Sequence, residues 1–275
     1  MQWLSISLFL LFASCASDDD TIKVKGSDTE VNLTVLLAES FHYENDSLLV
    51  SVSGGGSGLG ITSLLNGTAD VANSSRSINS EELGLFKNKN IQLDSFIFAQ
   101  DAIAFVVSSN LSIDSISTSD LAKILSGGER NWSRLTQKHL PVNIYGRQSN
   151  SGTHDFVKTI LNIHFSPHAK QMNGNAQILE AIKADNSGIG YVGAGYVMKG
   201  SDNGIKVLTV YTATSPAVSP LDAEKIATGA YFFQRPLFQY YKREDYQKVK
   251  PFLDFEKTTA GAGIIHASGY YPVKK

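Results

Sequence analysis

The chain has almost no cysteine. Cys15 is the only one among 275 residues, so no internal disulfide can staple the fold. Metal-binding patterns are missing too: no Cys/His cluster and no His-Glu-x-x-His occurs, and Pro167 separates His164 from His168 and breaks a shared helical face. Neither sign of charge dominates. With 24 Lys and Arg against 26 Asp and Glu, the net charge is −2, and without a basic tract nucleic acid is not an expected partner. An anion site here must work through local dipoles and one or two charges rather than a long-range field. The apolar run at residues 3–13 is too short to cross a bilayer as a mature helix. What remains is an ordinary globular composition, 42% apolar and 18% charged, with length for one large domain or two medium ones.

That apolar run fits the core of a secretory signal, although no Lys or Arg precedes it. It ends in Phe12-Ala13-Ser14-Cys15, which resembles a bacterial lipobox with Phe12 where Leu is commoner. Residues 1–14 are therefore expected to be a lipoprotein signal peptide. Cys15 is expected to carry the lipid (palmitate or a similar acyl chain), and residues 15–20 to form an acidic tether.

Four turns carry the polar chemistry. Thr21 to Lys25 alternates as a strand and breaks at Gly26, and Ser27-Asp28-Thr29-Glu30 has the form of a capping box for a helix bearing Leu33, Leu36, Leu37 and Phe41. A second strand, Ser47 to Ser53, runs into Gly54-Gly55-Gly56-Ser57-Gly58-Leu59-Gly60. Five glycines in seven residues let backbone N–H groups come close to a ligand. That loop is neither a P-loop, for want of lysine, nor a dinucleotide fingerprint or nucleophile elbow, since Leu59 stands where each needs glycine. A third strand, Ala69 to Ala72, ends at Asn73-Ser74-Ser75-Arg76. The fourth, Val142 to Tyr145, leads through Gly146-Arg147 to Ser151-Gly152-Thr153 and a helix with Phe156, Val157, Ile160 and Leu161, which Ser151 or Thr153 can cap. Helix N-termini attract anions, and an arginine fork suits a tetrahedral oxyanion. In open α/β sheets, ligands bind at the carboxyl ends of the strands, where these turns lie.

Together these motifs resemble the phosphate-binding proteins of bacterial phosphate ABC importers, the PstS family. The likeness extends to Ile124-Leu125-Ser126-Gly127 with Asn131-Trp132, to Gly188-Ile189-Gly190-Tyr191, to Arg235-Pro236-Leu237 and to Gly269-Tyr270-Tyr271-Pro272. It covers the mature chain in order, and Arg147-x-x-x-Ser151-Gly152-Thr153 is its most specific part. It implies an α/β, two-lobe type II periplasmic-binding-protein fold with crossing strands as hinge. The long β-prone run Phe96 to Val107 suits one crossing, and Tyr231 to Phe238 the return. Lobe 1 is expected at 21–98 with 236–275, and lobe 2 at 99–235.

The resemblance also implies phosphate-binding roles for Asp28, Thr29, Ser57, Ser75, Arg76, Arg147, Ser151, Gly152 and Thr153. Ser57, Ser151 and Thr153 would donate hydroxyl hydrogens, Thr29, Gly152 and Thr153 backbone N–H groups, and Arg147 the charge. Well-known members place an aspartate where this chain has Ser75. Asp28 is the expected replacement, accepting the proton that phosphate carries near neutral pH and sulfate lacks.

The implied partners are inorganic phosphate, an ABC permease and a membrane reached through the lipid anchor. The protein is expected to be an exported monomer, periplasmic or at the cell surface, with no cofactor, metal or catalysis. The alternatives are a phosphatase-like enzyme using a pair such as Thr153 and His154, or a binding protein for another tetrahedral oxyanion.

Overall fold

The computed structural model describes residues 21–198 and 204–273; the expected signal peptide, Cys15 and the acidic tether lie outside them. From the start run β1 (Thr21–Gly26), α1 (Val31–Glu44), β2 (Leu49–Ser53), α2 (Ser57–Leu65), β3 (Val71–Ser74), α3 (Ser80–Asn88) and β4 (Leu93–Ser108). The middle holds β5 (Ser115–Ser117), α4 (Thr118–Leu125), β6 (Asn143–Arg147), α5 (Gly152–Leu161), β7 (Lys170–Met172), α6 (Asn175–Ala184) and β8 (Gly188–Gly193). Then follow β9 (Ile205–Val207), β10 (Thr209–Tyr211), α7 (Ala223–Ala227), β11 (Gln234–Lys242), α8 (Tyr246–Glu256), α9 (Thr259–Ala267) and β12 (Tyr271–Pro272).

Strands pair in the order β2-β1-β3-β11-β4-β8-β6-β7. The parallel set β2-β1-β3 belongs to one lobe and the parallel set β8-β6-β7 to the other. Strand β4 joins them. Its first part, to Ala102, pairs with β11, and from Ile103 to Val107 it pairs with β8. The expected crossing strand is therefore one unbroken element. Its second half is buried at every residue, as a strand covered on both faces must be, which explains the apolar run there. The return strand β11 starts at Gln234. Tyr231 to Phe233 form a turn docked on β4, with Tyr231 OH donating to the Ile103 carbonyl at 2.6 Å.

The cores divide between the lobes. Ile103, Phe105, Trp132, Val157, Ile178, Tyr191 and Phe233 share one core within residues 102–233. Val24, Leu33, Leu37, Phe41, Val249, Phe252 and Ile265 share another, drawn from both ends of the chain. Leu33, Leu37 and Phe41 recur every four residues on α1, and Phe41 meets the edges of Phe252 and Phe255 at 5.5 and 5.7 Å.

One local expectation is overturned. Ser27 and Glu30 form no capping box: α1 begins at Val31, Glu30 has helical backbone angles, and no side chain caps it. The Ser27 hydroxyl turns to Ser75, and Glu30 turns into the protein, fully buried. A true capping box is present at Asn79 and Glu82, opening α3.

Candidate functional site

The parallel pairing of β1 with β2 and β3 sets their carboxyl ends side by side. Gly55 and Gly56, with φ of 125° and 101°, turn the chain from β2 into α2 through a backbone shape that disfavours side chains. The result is a surface of hydroxyls in which Ser27 donates to Ser75 Oγ at 3.0 Å and the Ser75 N–H donates to Ser57 Oγ at 3.1 Å. All three serines are buried.

The other lobe meets this surface directly. Ser151 caps α5, its oxygen accepting the N–H groups of Thr153 and His154 at 3.2 and 3.5 Å. Gly152 follows and presses on the serines: a Cβ there would lie 2.5 Å from Ser75 Oγ and closer still to Ser57 Oγ. Thr153 Oγ1 and Thr29 Oγ1 are 3.0 Å apart. At the mouth, Asn150 accepts from the Gly58 N–H at 3.1 Å and donates to the Gly55 carbonyl at 3.0 Å. The lobes are closed on each other.

Two buried arginines flank the hydroxyls. Arg147 donates through Nη2 to the Asn173 carbonyl at 2.9 Å, while Nε and Nη1 make no hydrogen bond. Its Nη1 lies 3.3 Å from Asp28 Oδ2, which also accepts from Asn175 N and Nδ2, each at 2.8 Å. Burial pulls the guanidinium below its ordinary pKa, and the Asp28 charge opposes that pull. All three nitrogens of Arg235 are engaged. It donates from Nε and Nη2 to Asp101 Oδ2 at 3.0 and 2.8 Å, from Nη1 to the Ser75 carbonyl at 3.0 Å, and from Nη2 to Thr29 and Thr153 at 3.3 and 3.0 Å. Burial raises the Asp101 carboxyl while Arg235 holds it down.

The structure thus brings Asp28, Thr29, Ser57, Ser75, Arg147, Ser151, Gly152 and Thr153 together. Arg76 stands apart, its guanidinium engaging both oxygens of Glu82 at 2.8 and 2.6 Å, with Asp155 at 3.8 Å. The Thr153 N–H is committed to Ser151 and is not free for a ligand. Nor does His154 pair with the Thr153 hydroxyl. Its ring packs against Phe165, centroids 4.6 Å apart and planes tilted by 36°, and burial lowers its pKa. Among the described residues no group of three or more His, Cys, Asp or Glu could hold a metal.

Sequence reasoning passed over Arg235, Asp101, Asn175 and Tyr196, whose OH donates to the Asp28 carbonyl at 2.7 Å. A lone carboxylate inside the apolar run Phe96 to Val107 was the available signal for Asp101, and the Arg-Pro-Leu motif for Arg235.

Chemically, the cluster offers unspent N–H groups on Arg147, hydroxyl hydrogens, and the starts of α2 and α5, gathered where both lobes touch. That suits a compact anion. A family model described as a PBP superfamily domain matches residues 13–256. The chain belongs to the PBP superfamily. Within it stand its PstS relatives: the phosphate-binding protein PstS of Borreliella burgdorferi is 27% identical over all of both chains. Protein SphX of Synechococcus elongatus is 30% identical over 92% of this chain and 77% of its own. Among solved structures, a phosphate ABC transporter substrate-binding protein from Clostridium perfringens, crystallised with bound phosphate, superposes with a TM-score of 0.81. It is 22% identical and covers 92% of this chain and 100% of its own. The Clostridium structure shares this chain's fold, and the curated relatives bear out the PstS resemblance drawn from the turn motifs.

Proposed function

We propose that this chain captures inorganic phosphate between its lobes, 21–98 with 236–275 on one side and 99–235 on the other, and delivers it to an ABC importer without catalysis. The observation that carries the reading is Arg147: a buried guanidinium whose Nε and Nη1 make no hydrogen bond, Nη1 having only the Asp28 carboxylate as ion partner, beside hydroxyls drawn from both lobes. Thr29, Ser57, Ser75, Ser151, Gly152 and Thr153 complete the ligand set, with Asp28 as counter-charge to Arg147. A hydrogen bond to a charged group contributes about 1.5–3 kcal/mol net. Micromolar affinity needs about 8 kcal/mol, which such a set supplies after the cost of closure. Anchoring through a lipid on Cys15 would hold the protein at the membrane beside its permease. The PstS relatives and the phosphate-bound neighbour support the choice of ligand. Calorimetry against phosphate, sulfate, molybdate and a phosphate ester tests it. Tight binding of phosphate alone is expected, and turnover of the ester would favour an enzyme instead. Acylated Cys15 should appear by mass spectrometry of native membranes, and an intact unmodified thiol there would exclude the anchor.

A further inference from the structure

Helix α6 begins without a cap of its own. Its N-cap residue is Gly174, which has no side-chain oxygen to accept the first N–H groups of the helix. The backbone does not require glycine there, because its φ of −144° is an extended value open to any residue. What needs the bare position is Asp28, in the turn after β1 of the other lobe. A Cβ on Gly174 would stand 3.0 and 3.2 Å from the two carboxylate oxygens of Asp28. Through that gap Asp28 Oδ2 accepts the Asn175 N–H, the first of α6, and the Asn175 side-chain Nδ2, each at 2.8 Å. Tyr196 OH steadies the same turn by donating to the Asp28 carbonyl at 2.7 Å. Arg147 Nη1 lies 3.3 Å from the same Oδ2, and Arg147 Nη2 donates to the carbonyl of Asn173, next to Gly174.

We propose that Asp28 is the N-terminal cap of α6, supplied across the cleft: a positioning residue whose bonds to α6 form when the lobes shut and break when they part. A carboxylate suits this place, since a helix start carries partial positive charge and free N–H groups. Gly174 is bare so that the carboxylate can enter. The contact also places Arg147. Asn173 keeps the guanidinium on the turn that opens α6, so one swing seats Asp28 on Asn175 and sets Arg147 Nη1 beside it. When the lobes part, α6 loses its cap and Arg147 its counter-charge. Opening is therefore penalised with or without an anion in the cleft, and release of a bound anion waits for this clasp to yield. The inference rests on the cleft being an anion site only for its effect on affinity.

The test reads the Asn175 N–H by hydrogen exchange, in NMR spectra of the ligand-free protein, and inorganic phosphate by calorimetry and stopped flow. Asp28→Ala and Gly174→Ala should each lower the protection of that N–H about 2- to 30-fold, the range that loss of one helix cap gives. Asp28→Asn keeps an oxygen to accept the Asn175 N–H and should retain the protection, whatever it does to the ligand. Gly174→Ala alters no group assigned to the ligand, yet it should weaken phosphate binding by a similar factor, mainly through faster release. In Asp28→Ala/Gly174→Ala the second change should add nothing, because the carboxylate that the methyl crowds is gone. Additive losses overturn the clasp, and so does an Asn175 N–H that exchanges as fast in wild type as in Asp28→Ala. If phosphate does not bind while exchange still follows Asp28 and Gly174, the clasp stands and the functional reading falls.

Discussion

Replacing Gly152 by alanine tests whether the contact between lobes limits binding. In the closed form the new methyl would sit 2.5 Å from Ser75 Oγ and nearer to Ser57 Oγ, where ordinary contact needs about 3.4 Å or more. Neither serine can yield cheaply, because both are buried and Ser57 Oγ accepts the Ser75 N–H. The lobes must therefore stop about 1 Å short of closure, or the start of α5 must shift. Overpacking of this kind costs about 1–3 kcal/mol. The open form has no such clash, so the whole cost falls on closure, and phosphate affinity should drop about 5- to 150-fold. Titration calorimetry reads the affinity, and small-angle scattering reads whether phosphate still shrinks the radius. Thermal stability without ligand at low protein concentration should change little if the free chain rests open. Wild-type affinity with a normal closed radius would refute the reasoning, since it would mean that the serines and α5 do not meet in the bound state.

Other outcomes follow from the same geometry. Arg147→Ala should weaken phosphate binding at least about 100-fold and remove the ligand-induced decrease in radius, because it deletes the unspent charged donors; an unchanged radius response would place the charge elsewhere. Asp28→Asn should lower phosphate affinity about tenfold and let sulfate compete, and an unaltered phosphate-to-sulfate ratio would remove Asp28 as the discriminator. Glu256 is buried, with Gln239 Nε2 donating to it at 3.0 Å, and burial raises its pKa from 4.5 to about 8. Its folded pKa lies above the unfolded value, so stability is full below about pH 4.5 and is lost as pH rises through about 8. Glu256→Gln should flatten that slope and gain up to about 4–5 kcal/mol above pH 8 in urea melts. Parallel slopes for both proteins would show that Glu256 does not carry it.

The strands and the polar turns were legible because their signals are local. Alternation marked β1, glycine marked the approach to α2, and Ser151 announced the start of α5, all within a few residues. Glu30 misled for the same reason. Ser-x-x-Glu is a sound local signal for a cap, but burial against the sheet and the Ser75 hydroxyl won the two side chains instead. Asp101 with Arg235, and Asp28 with Asn175, are pairs set by which strands and lobes meet, across 134 and 147 residues of chain. Nothing in a short window prices such a contact, although a carboxylate inside an apolar strand signals that a partner must exist.

The crossing strands have a mechanical consequence. Asp101 and Arg235 are register partners next to the last β4–β11 pair before β4 exchanges β11 for β8, so a lobe motion hinged at that exchange would have the pair close to its axis. Points near a pivot sweep the smallest arcs. The 2.8 Å ion pair can persist while Thr29 and Thr153, and Gly152 and Ser57, draw apart. Arg235 would then keep its orientation through the swing, paired with Asp101 and tied to the Ser75 carbonyl. Arg147, carried on the far arm of the lever, is the charge that travels.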